Sequence, residues 1–512
     1  MRASASKGLF LSIDPRSHQP LQAQIYSAIR AAILEGALAP GASLQSSRAL
    51  AADLRVSRTT TLLAYEQLTA EGYLSARRGS GTFVALELPD DLPRASTSGP
   101  SVRSNHPPLS RRGAALASTP PNAIRVGGPP RAFRLGVPAL DLFPIKQWTA
   151  LVNRRLRSVS FAQLDYGDPA GLRPLRNAIA DHVRAARGTR CSADQVIVLA
   201  GAQRGLEMMC QMLLDPGDEA WMEEPGYHGI RCALVAAGAR IRPGRVDDDG
   251  LDVDAMARRS PRAKLAYVTP SHQFPLGVPM SLSRRLALLK WATDASAWIL
   301  EDDYDSEFRY GTRPIPCLHG LDVDGRVIYV GSFSKTVFPS LRLGFVIVPD
   351  DLQERMVAAR RAADLHPPAI DQLVLADFME GGHFERHLRR MRAAYAERLH
   401  ALEHAAARYC AGALHLRPVK TGMHAVADLE DVSAERLFSE AAARGVELMP
   451  MSAYCATKGT ARNAIILGFA PIRPEAIHRG MERLAAAIEA ARRQEHLGRR
   501  LPAETRLLAS TV

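Results

Sequence analysis

Gly331-Ser332-Phe333-Ser334-Lys335, with Arg342 seven residues beyond the lysine, is the stretch of this 512-residue chain best equipped for chemistry. Small hydroxyls, an amine and a guanidinium close in sequence can hold an anion and supply a nucleophilic nitrogen. The preceding Gly325-Arg326-Val327-Ile328-Tyr329-Val330 is apolar and β-branched, as a short buried strand requires. A second such pattern, Ala297-Trp298-Ile299-Leu300-Glu301-Asp302-Asp303-Tyr304, ends in carboxylates. A lysine at the end of one strand and acids at the end of another suit a cofactor site at the C-terminal edge of a parallel sheet. Taken alone, the acids read equally well as a solvated cluster.

A chain of this length needs several domains to position such a site. Its formal charge of +12 is compatible with a polyanionic partner, although a coding bias towards arginine explains the charge as readily. The six cysteines have no short metal-ligand spacing, so no metal is expected, and they are too sparse for a disulfide scaffold. There is no apolar signal core and no run of about 18 apolar residues. A reduced, cytoplasmic protein without a membrane partner is expected.

Residues 17–85 read as one small domain. Pro20 precedes a helical face of Leu21, Ile25, Ile29 and Ile33 that stops near Gly36. Ser46 or Ser47 can cap a second helix, and Ser57 a third that ends at Gly72. The segment from Tyr73 to Val84 reads as a hairpin with a basic, glycine-rich tip. Three short helices and a hairpin make a winged helix-turn-helix. The third helix would enter the major groove of double-stranded operator DNA, with Ser57, Arg58, Thr59 and Thr60 near bases and phosphates. Arg48 would hold the backbone, while Arg77, Arg78 and Gly79 would bring the wing close to it. The crowded Pro, Ser, Gly and Arg of residues 86–131 predict a mobile linker. Beyond it, strand and helix patterns alternate as a doubly wound α/β sheet needs.

The N-terminal motifs Ser46-Ser47-Arg48, Val56-Ser57-Arg58-Thr59, Glu71-Gly72-Tyr73 and Gly79-Ser80-Gly81-Thr82-Phe83-Val84 resemble the GntR family of regulators. The remainder resembles the fold-type I aminotransferases that use pyridoxal 5′-phosphate (PLP). The combination is that of MocR-like regulators. The resemblance implies a large PLP-binding domain over 132–390 and a small domain of the same fold over 391–495. It makes Lys335 the Schiff-base lysine, Asp302 the partner of the ring nitrogen and Tyr304 that of the ring oxygen. Tyr227 becomes the aromatic plate stacked on the ring. The backbone of Ala202 and Gln203, together with Ser332, Ser334 and Arg342, surrounds the phosphate. Tyr166 reaches the phosphate of the other subunit of a head-to-tail homodimer. His272 is given an orienting or structural role.

Three departures from the family pattern bear on function. Phe274 stands where aminotransferases usually carry asparagine, which removes one hydrogen bond to the ring oxygen. Ile466 and Gly229 occupy positions where an arginine would hold a substrate or effector carboxylate, although Arg462 could reach in from an adjacent turn. The PLP-holding set is complete while the carboxylate clamp is missing. The expectation is therefore a regulator sensing PLP itself and controlling vitamin B6 metabolism, with at most residual transaminase activity. The alternatives are a regulator answering to an amino compound such as GABA or taurine through an external aldimine, and a working aminotransferase that also binds DNA.

Overall fold

The computed structural model describes residues 13–77, 81–89, 108–119, 131–311, 315–457 and 459–500, with side chains to 495 in the last helix. The chain divides into two units, residues 1–107 and 108–512. In the first, α1 (Leu21–Leu34) buries Ile25, Ile29 and Ile33, the stripe expected from their spacing. The Ser46 side chain caps α2 (Ser47–Leu54) by accepting from Ala49 N at 3.2 Å, and Ser57 caps α3 (Arg58–Ala70) by accepting from Thr60 N at 3.1 Å. Strands β1 (Leu74–Arg77) and β2 (Gly81–Val84) form the hairpin, with Leu74 opposite Val84 and Arg77 opposite Gly81. Tyr73, Leu74 and Val84 close the core over Leu50 and Leu68.

The second unit opens with α4 (Arg111–Ala117), followed by α5 (Ile145–Arg157), α6 (Phe161–Leu164) and α7 (Arg173–Arg187). Then come β3 (Val196–Leu199), α8 (Ala202–Leu213), β4 (Glu219–Glu224) and α9 (His228–Ala237). Six further strands complete the sheet: β5 (Arg240–Asp247), β6 (Gly250–Leu251), β7 (Leu265–Val268), β8 (Trp298–Asp303), β9 (Val327–Ser332) and β10 (Gly344–Ile347). The order across it is β3-β10-β9-β8-β7-β4-β5-β6. Neighbours from β9 across to β5 are parallel, and β10 runs antiparallel to both β9 and β3. Strands β3, β10, β9, β8 and β7 are buried on both faces, which is why they read as largely apolar runs, whereas β5 towards the edge is mostly half-buried. Leu300, Ile328 and Val330 pack with Leu206 and Ile230 of α8 and α9. Ile299 and Val327 face the other way, towards Leu288 and Trp291 of the Leu282–Asp294 helix.

The C-terminal part begins with the helix His383–Tyr409 and adds β11 (Leu414–Leu416), β12 (His424–Leu429), β13 (Met449–Pro450) and β14 (Ala464–Gly468). These form an antiparallel sheet in the order β11-β12-β14-β13. The expected division between residues 390 and 391 falls inside the His383–Tyr409 helix, so the two parts share a continuous element there.

The expected linker, residues 86–131, also needs correction, because it contains α4, which packs on α9. Ser110 caps this helix by accepting from Gly113 N at 3.0 Å. Seven residues span only two turns, too few for a helical period to emerge from an arginine- and alanine-rich run.

One ion pair ties distant parts of the body together. His182 on α7 lies 3.0 Å from Glu385 of the long helix and 3.8 Å from Glu307 beyond β8. Burial disfavours its charge, but bonding and attraction from Glu307 and Glu385 win and raise it to about 9. The resulting stabilisation is complete below the ordinary value of 6.5 and is lost as pH rises through about 9. Thermal unfolding followed across this window should show a decline in stability that His182→Gln removes. A decline of the same size in that variant would assign it to other groups.

Candidate functional site

Three consecutive acids end β8, and strand alternation sends them to different partners. Asp302 lies on the face of Leu300 and accepts a hydrogen bond from the Tyr267 hydroxyl at 2.7 Å. Glu301 and Asp303 lie on the other face. Glu301 accepts from the amides of Leu318 and His319, each at 2.8 Å, and neighbours Arg285 at 3.9 Å. Asp303 holds Arg187 at 2.8 Å and accepts from the Tyr329 hydroxyl at 2.7 Å. All three are buried, so the solvated-cluster reading does not describe them. Asp302 Oδ1 stays buried with no hydrogen-bond partner. Burial pushes the Asp302 carboxyl up to about 7, with Asp303 and Asp305 adding to the rise and Tyr267 and Lys335 opposing it.

Lys335 follows the end of β9 and donates from Nζ to the carbonyl of Gly136 at 2.7 Å. Burial lowers its pKa, and the charges of Asp305 and Asp302 hold part of it back. Because β10 is antiparallel to its neighbours, it begins where β3 and β9 end, and Gly344 pairs with both Leu199 and Ser332. Arg342, two residues earlier, thereby reaches the start of α8. Its guanidinium donates to Ala200 O at 3.3 Å, and a Cβ on Gly201 would meet its Cζ at 3.3 Å. Gly201 has φ +93°, which favours glycine, and it opens α8 so that the first amides, Ala202 and Gln203, lack intrahelical acceptors. Ser332 Oγ accepts from Ser334 N at 3.2 Å. This end of the site gathers helix amides, hydroxyls and a guanidinium, groups able to receive an anion.

Tyr227 sits at the N-cap of α9 and meets Phe274 edge-on at 5.9 Å. Phe274 also packs edge-on against Tyr304 at 5.9 Å, Tyr454 at 5.0 Å and His424 at 5.6 Å. Its loop is anchored by Glu223, which accepts from Thr269 N and Oγ1 and from Gln273 Nε2 at 3.1, 2.6 and 3.1 Å. Ile466 is fully buried among Val426, Met451 and Tyr454, with Phe274 and Leu135 packed against the cluster. At Gly229 a Cβ would collide with Gln203 Oε1 and the Tyr227 ring, so a larger side chain there requires both to shift. Arg462 is exposed on the turn before β14. Tyr166 is 80 % exposed and does not join the cluster within one chain.

Tyr267, Asp305 and His424 escaped the sequence reading. His424 and Tyr267 are polar residues within apolar strands, a signal that was available. Asp305 lies one residue past the acidic run and carried no signal of its own. Donor atoms of His272, Asp305 and His424 lie within 4.8 Å of one another. Two of them bond to each other, His272 Nδ1 to Asp305 at 3.0 Å, and His424 Nε2 bonds to Pro275 O at 3.0 Å.

In the N-terminal unit, α3 is fixed to the start of α2 by its own side chains. The Thr61 hydroxyl donates to Ser47 O at 2.8 Å and the Tyr65 hydroxyl to Gln45 O at 3.0 Å. Arg48, Arg58 and Thr59 are left exposed. Ser57 and Thr60 instead bond to each other through their hydroxyls at 2.7 Å while Ser57 caps the helix. On the wing, the Arg77 guanidinium lies 5.3 Å from the Phe83 ring centroid. Arg78 and Gly79 lie outside the described residues. Ser57→Ala should cost this unit about 1 kcal/mol of stability. Ser57→Asp should keep the cap but lose operator affinity through phosphate repulsion. Paired melting curves and gel shifts would test this, and an aspartate variant binding DNA at full strength would remove Ser57 from the interface.

Among the described residues, no helix is long and apolar enough to cross a membrane. A family model for aminotransferase class I and II matches residues 133–483, and one for bacterial regulatory proteins of the gntR family matches residues 21–84. The probable rhizopine catabolism regulatory protein MocR of Rhizobium meliloti is 40% identical, over 93% of this chain and 95% of that protein. The transcriptional regulator TauR of Rhodobacter capsulatus is 35% identical, over 93% and 98%. The pyridoxine biosynthesis regulator PdxR of Corynebacterium glutamicum is 33% identical, over 90% and 94%. The solved structure of the α-aminoadipate aminotransferase LysN of Thermus thermophilus aligns at a TM-score of 0.65 and 30% identity, over 70% of this chain and 92% of that one. The chain belongs to the MocR-type GntR regulators, in which a winged helix-turn-helix is fused to a fold-type I aminotransferase-like body.

Proposed function

We propose that this protein is a PLP-holding transcriptional regulator whose body answers to a small amino compound. The observation that carries the cofactor reading is Asp302 Oδ1, a buried carboxylate oxygen with no partner at the sheet edge that also carries Lys335. A protonated pyridine nitrogen supplies the hydrogen that this oxygen lacks. The cradle of Ala202, Gln203, Ser332, Ser334 and Arg342 fits a phosphate, and Tyr227 offers a ring face. When bound, PLP supplies an aldehyde carbon for a nitrogen to attack. Lys335, with its lowered pKa, is suited to hold that carbon.

The amino-compound reading draws on relatives named for rhizopine catabolism and on TauR. The carboxylate clamp is missing, since Ile466 lies in an apolar cluster and Gly229, crowded by Gln203 and Tyr227, carries no side chain. We therefore favour an amine that carries no carboxylate at that position, bound without turnover. The same two residues support a second reading, in which PLP itself is the signal, as the name of PdxR suggests for that relative. A head-to-tail homodimer completing the site with Tyr166 belongs to both readings. Its support is the exposed strip of Phe161, Leu164 and Tyr166, 93, 65 and 80 % exposed.

Protein incubated with PLP should turn yellow, and Lys335→Ala should abolish the band. Borohydride reduction and peptide mapping should place the label on Lys335, and labelling at another lysine would overturn the assignment. Operator affinity should then be titrated on PLP-loaded protein with amines lacking a carboxylate, with amino acids, GABA and taurine, and separately with PLP on cofactor-free protein. The amine reading expects the first group to shift affinity by linkage. A response to PLP alone selects the second reading, and a response confined to amino acids defeats the argument from Ile466 and Gly229.

A further inference from the structure

We infer that Asp305 and His272 are positioning residues for the Tyr304 hydroxyl. They replace, through Tyr304, the ring-oxygen hydrogen bond for which Phe274 has no atom. The inference rests on the cofactor reading proposed above.

The geometry is closely constrained. The side chains of Asp305 and His272 are each only 1 % exposed, and both Asp305 oxygens lie 3.0 Å from His272 Nδ1. The Tyr304 oxygen is 3.0 Å from the same nitrogen and 3.0 Å from the carbonyl of His272. A carboxylate facing Nδ1 takes the proton on that nitrogen, so Nδ1 donates to Asp305 and cannot accept from tyrosine. The Tyr304 hydrogen therefore goes to the His272 carbonyl. Rotation about the phenolic C–O bond is all that is needed to aim it elsewhere.

The imidazole has no freedom to relax. A Cβ on Gly422 would fall onto the His272 ring, and one on Gly277 would reach Nε2 at 3.3 Å. The His424 ring closes another side at a centroid distance of 4.8 Å. Tyr304 keeps its proton, since burial and the charges of Asp305 and Asp302 raise its pKa well above the ordinary value. It is thus a permanent donor with a fixed oxygen position, which a phenolate oxygen on the cofactor requires.

The titratable groups that act on Lys335 are Asp302 and Asp305 from the end of β8 and His424 from β12, while His272 meets Asp305 and Tyr304, and Tyr227 of α9 faces Asp302. His424 is held neutral by burial, which lowers it to about 3. A donor on the ring oxygen matters most when the nitrogen joined to Lys335 has lost its proton, because that oxygen then carries unshared charge. Losing the donor should raise the pH at which the lysine-bound cofactor changes colour.

The experiment is a pH titration of the absorbance of PLP-loaded, full-length protein. Tyr304→Phe should raise the midpoint by roughly one pH unit or more. Asp305→Ala and His272→Phe should raise it in the same direction; once Tyr304 is phenylalanine, His272→Phe should add nothing and Asp305→Ala should only lower the midpoint, through loss of its charge beside Lys335. His272→Asn, which can offer an amide N–H to Asp305, should restore part of the wild-type midpoint. Asp305→Leu, close in volume but without an acceptor, carries the same test if the alanine variant does not load. If Asp305 were only a charge beside Lys335, its removal would lower the midpoint. A lowered or unmoved midpoint in the single variants, or upward shifts additive with Tyr304→Phe, would overturn the inference. A wild-type protein without the band would instead defeat the cofactor reading.

Discussion

A buried carboxylate has to be paired, and the body is arranged around three of them in a row. Glu301, Asp302 and Asp303 end the same central strand, and strand geometry forbids a shared solution. Glu301 is met by the amides that open a short helix at Leu318, and Asp303 by Arg187 from the end of α7 and by Tyr329 from the next strand. Asp302, on the opposite face, receives a single hydrogen bond from Tyr267. Two acids are used to fasten helices to the sheet. Asp302 and Asp303 each keep one buried oxygen without a hydrogen-bond partner, but Asp303 is paired with Arg187 whereas Asp302 has no ion pair among the described residues, and that difference separates scaffold from site.

The reversal of β10 is the second arrangement on which the site depends. In an all-parallel sheet the residue before a strand lies at the far edge from the residue after its neighbour. Turning one strand round brings Arg342 to the edge where β3 releases Gly201 and β9 releases Ser332. Gly344 cannot grow, because a Cβ there would lie 2.6 Å from the amide nitrogen of Ala202. The arginine and the helix amides are thus held against each other by backbone packing, and no long side chain has to search for the position.

Much of this was legible in the sequence. Ser46 and Ser57 act as helix caps, the apolar spacing of α1 is its buried face, and the runs ending at Tyr304 and Val330 form strands. These features are local, and periodicity or capping chemistry specifies them. What escaped was non-local. Nothing near Asp305 says that it will meet a histidine 33 residues earlier in the chain. His424 comes from a separate sheet and reaches the same loop only through the packing of β12. The α4 helix was missed for the opposite reason, since two turns carry too little pattern. The division placed at residue 390 falls within one helix of 27 residues, a continuity that no local pattern marks.

On the reading proposed above, the contrast between the two ends of the site favours a regulator over an enzyme. Turnover of an amino acid needs its carboxylate clamped, because only a held substrate keeps its reacting bonds aligned. At the position of that clamp the body has instead completed an apolar cluster, with Ile466 packed beside Tyr454 and Phe274. An arginine introduced there would have to bury a charge without a partner, so recovering the clamp would require repacking the wall as a whole. A regulator does not need alignment. It needs a ligand that binds one state of the body better than another, and occupancy alone then shifts the DNA-binding equilibrium. Keeping the cradle, the orphaned Asp302 oxygen and the buried lysine while losing the clamp preserves binding and gives up orientation. On the reading proposed above, that is the change by which an aminotransferase pocket becomes a sensor.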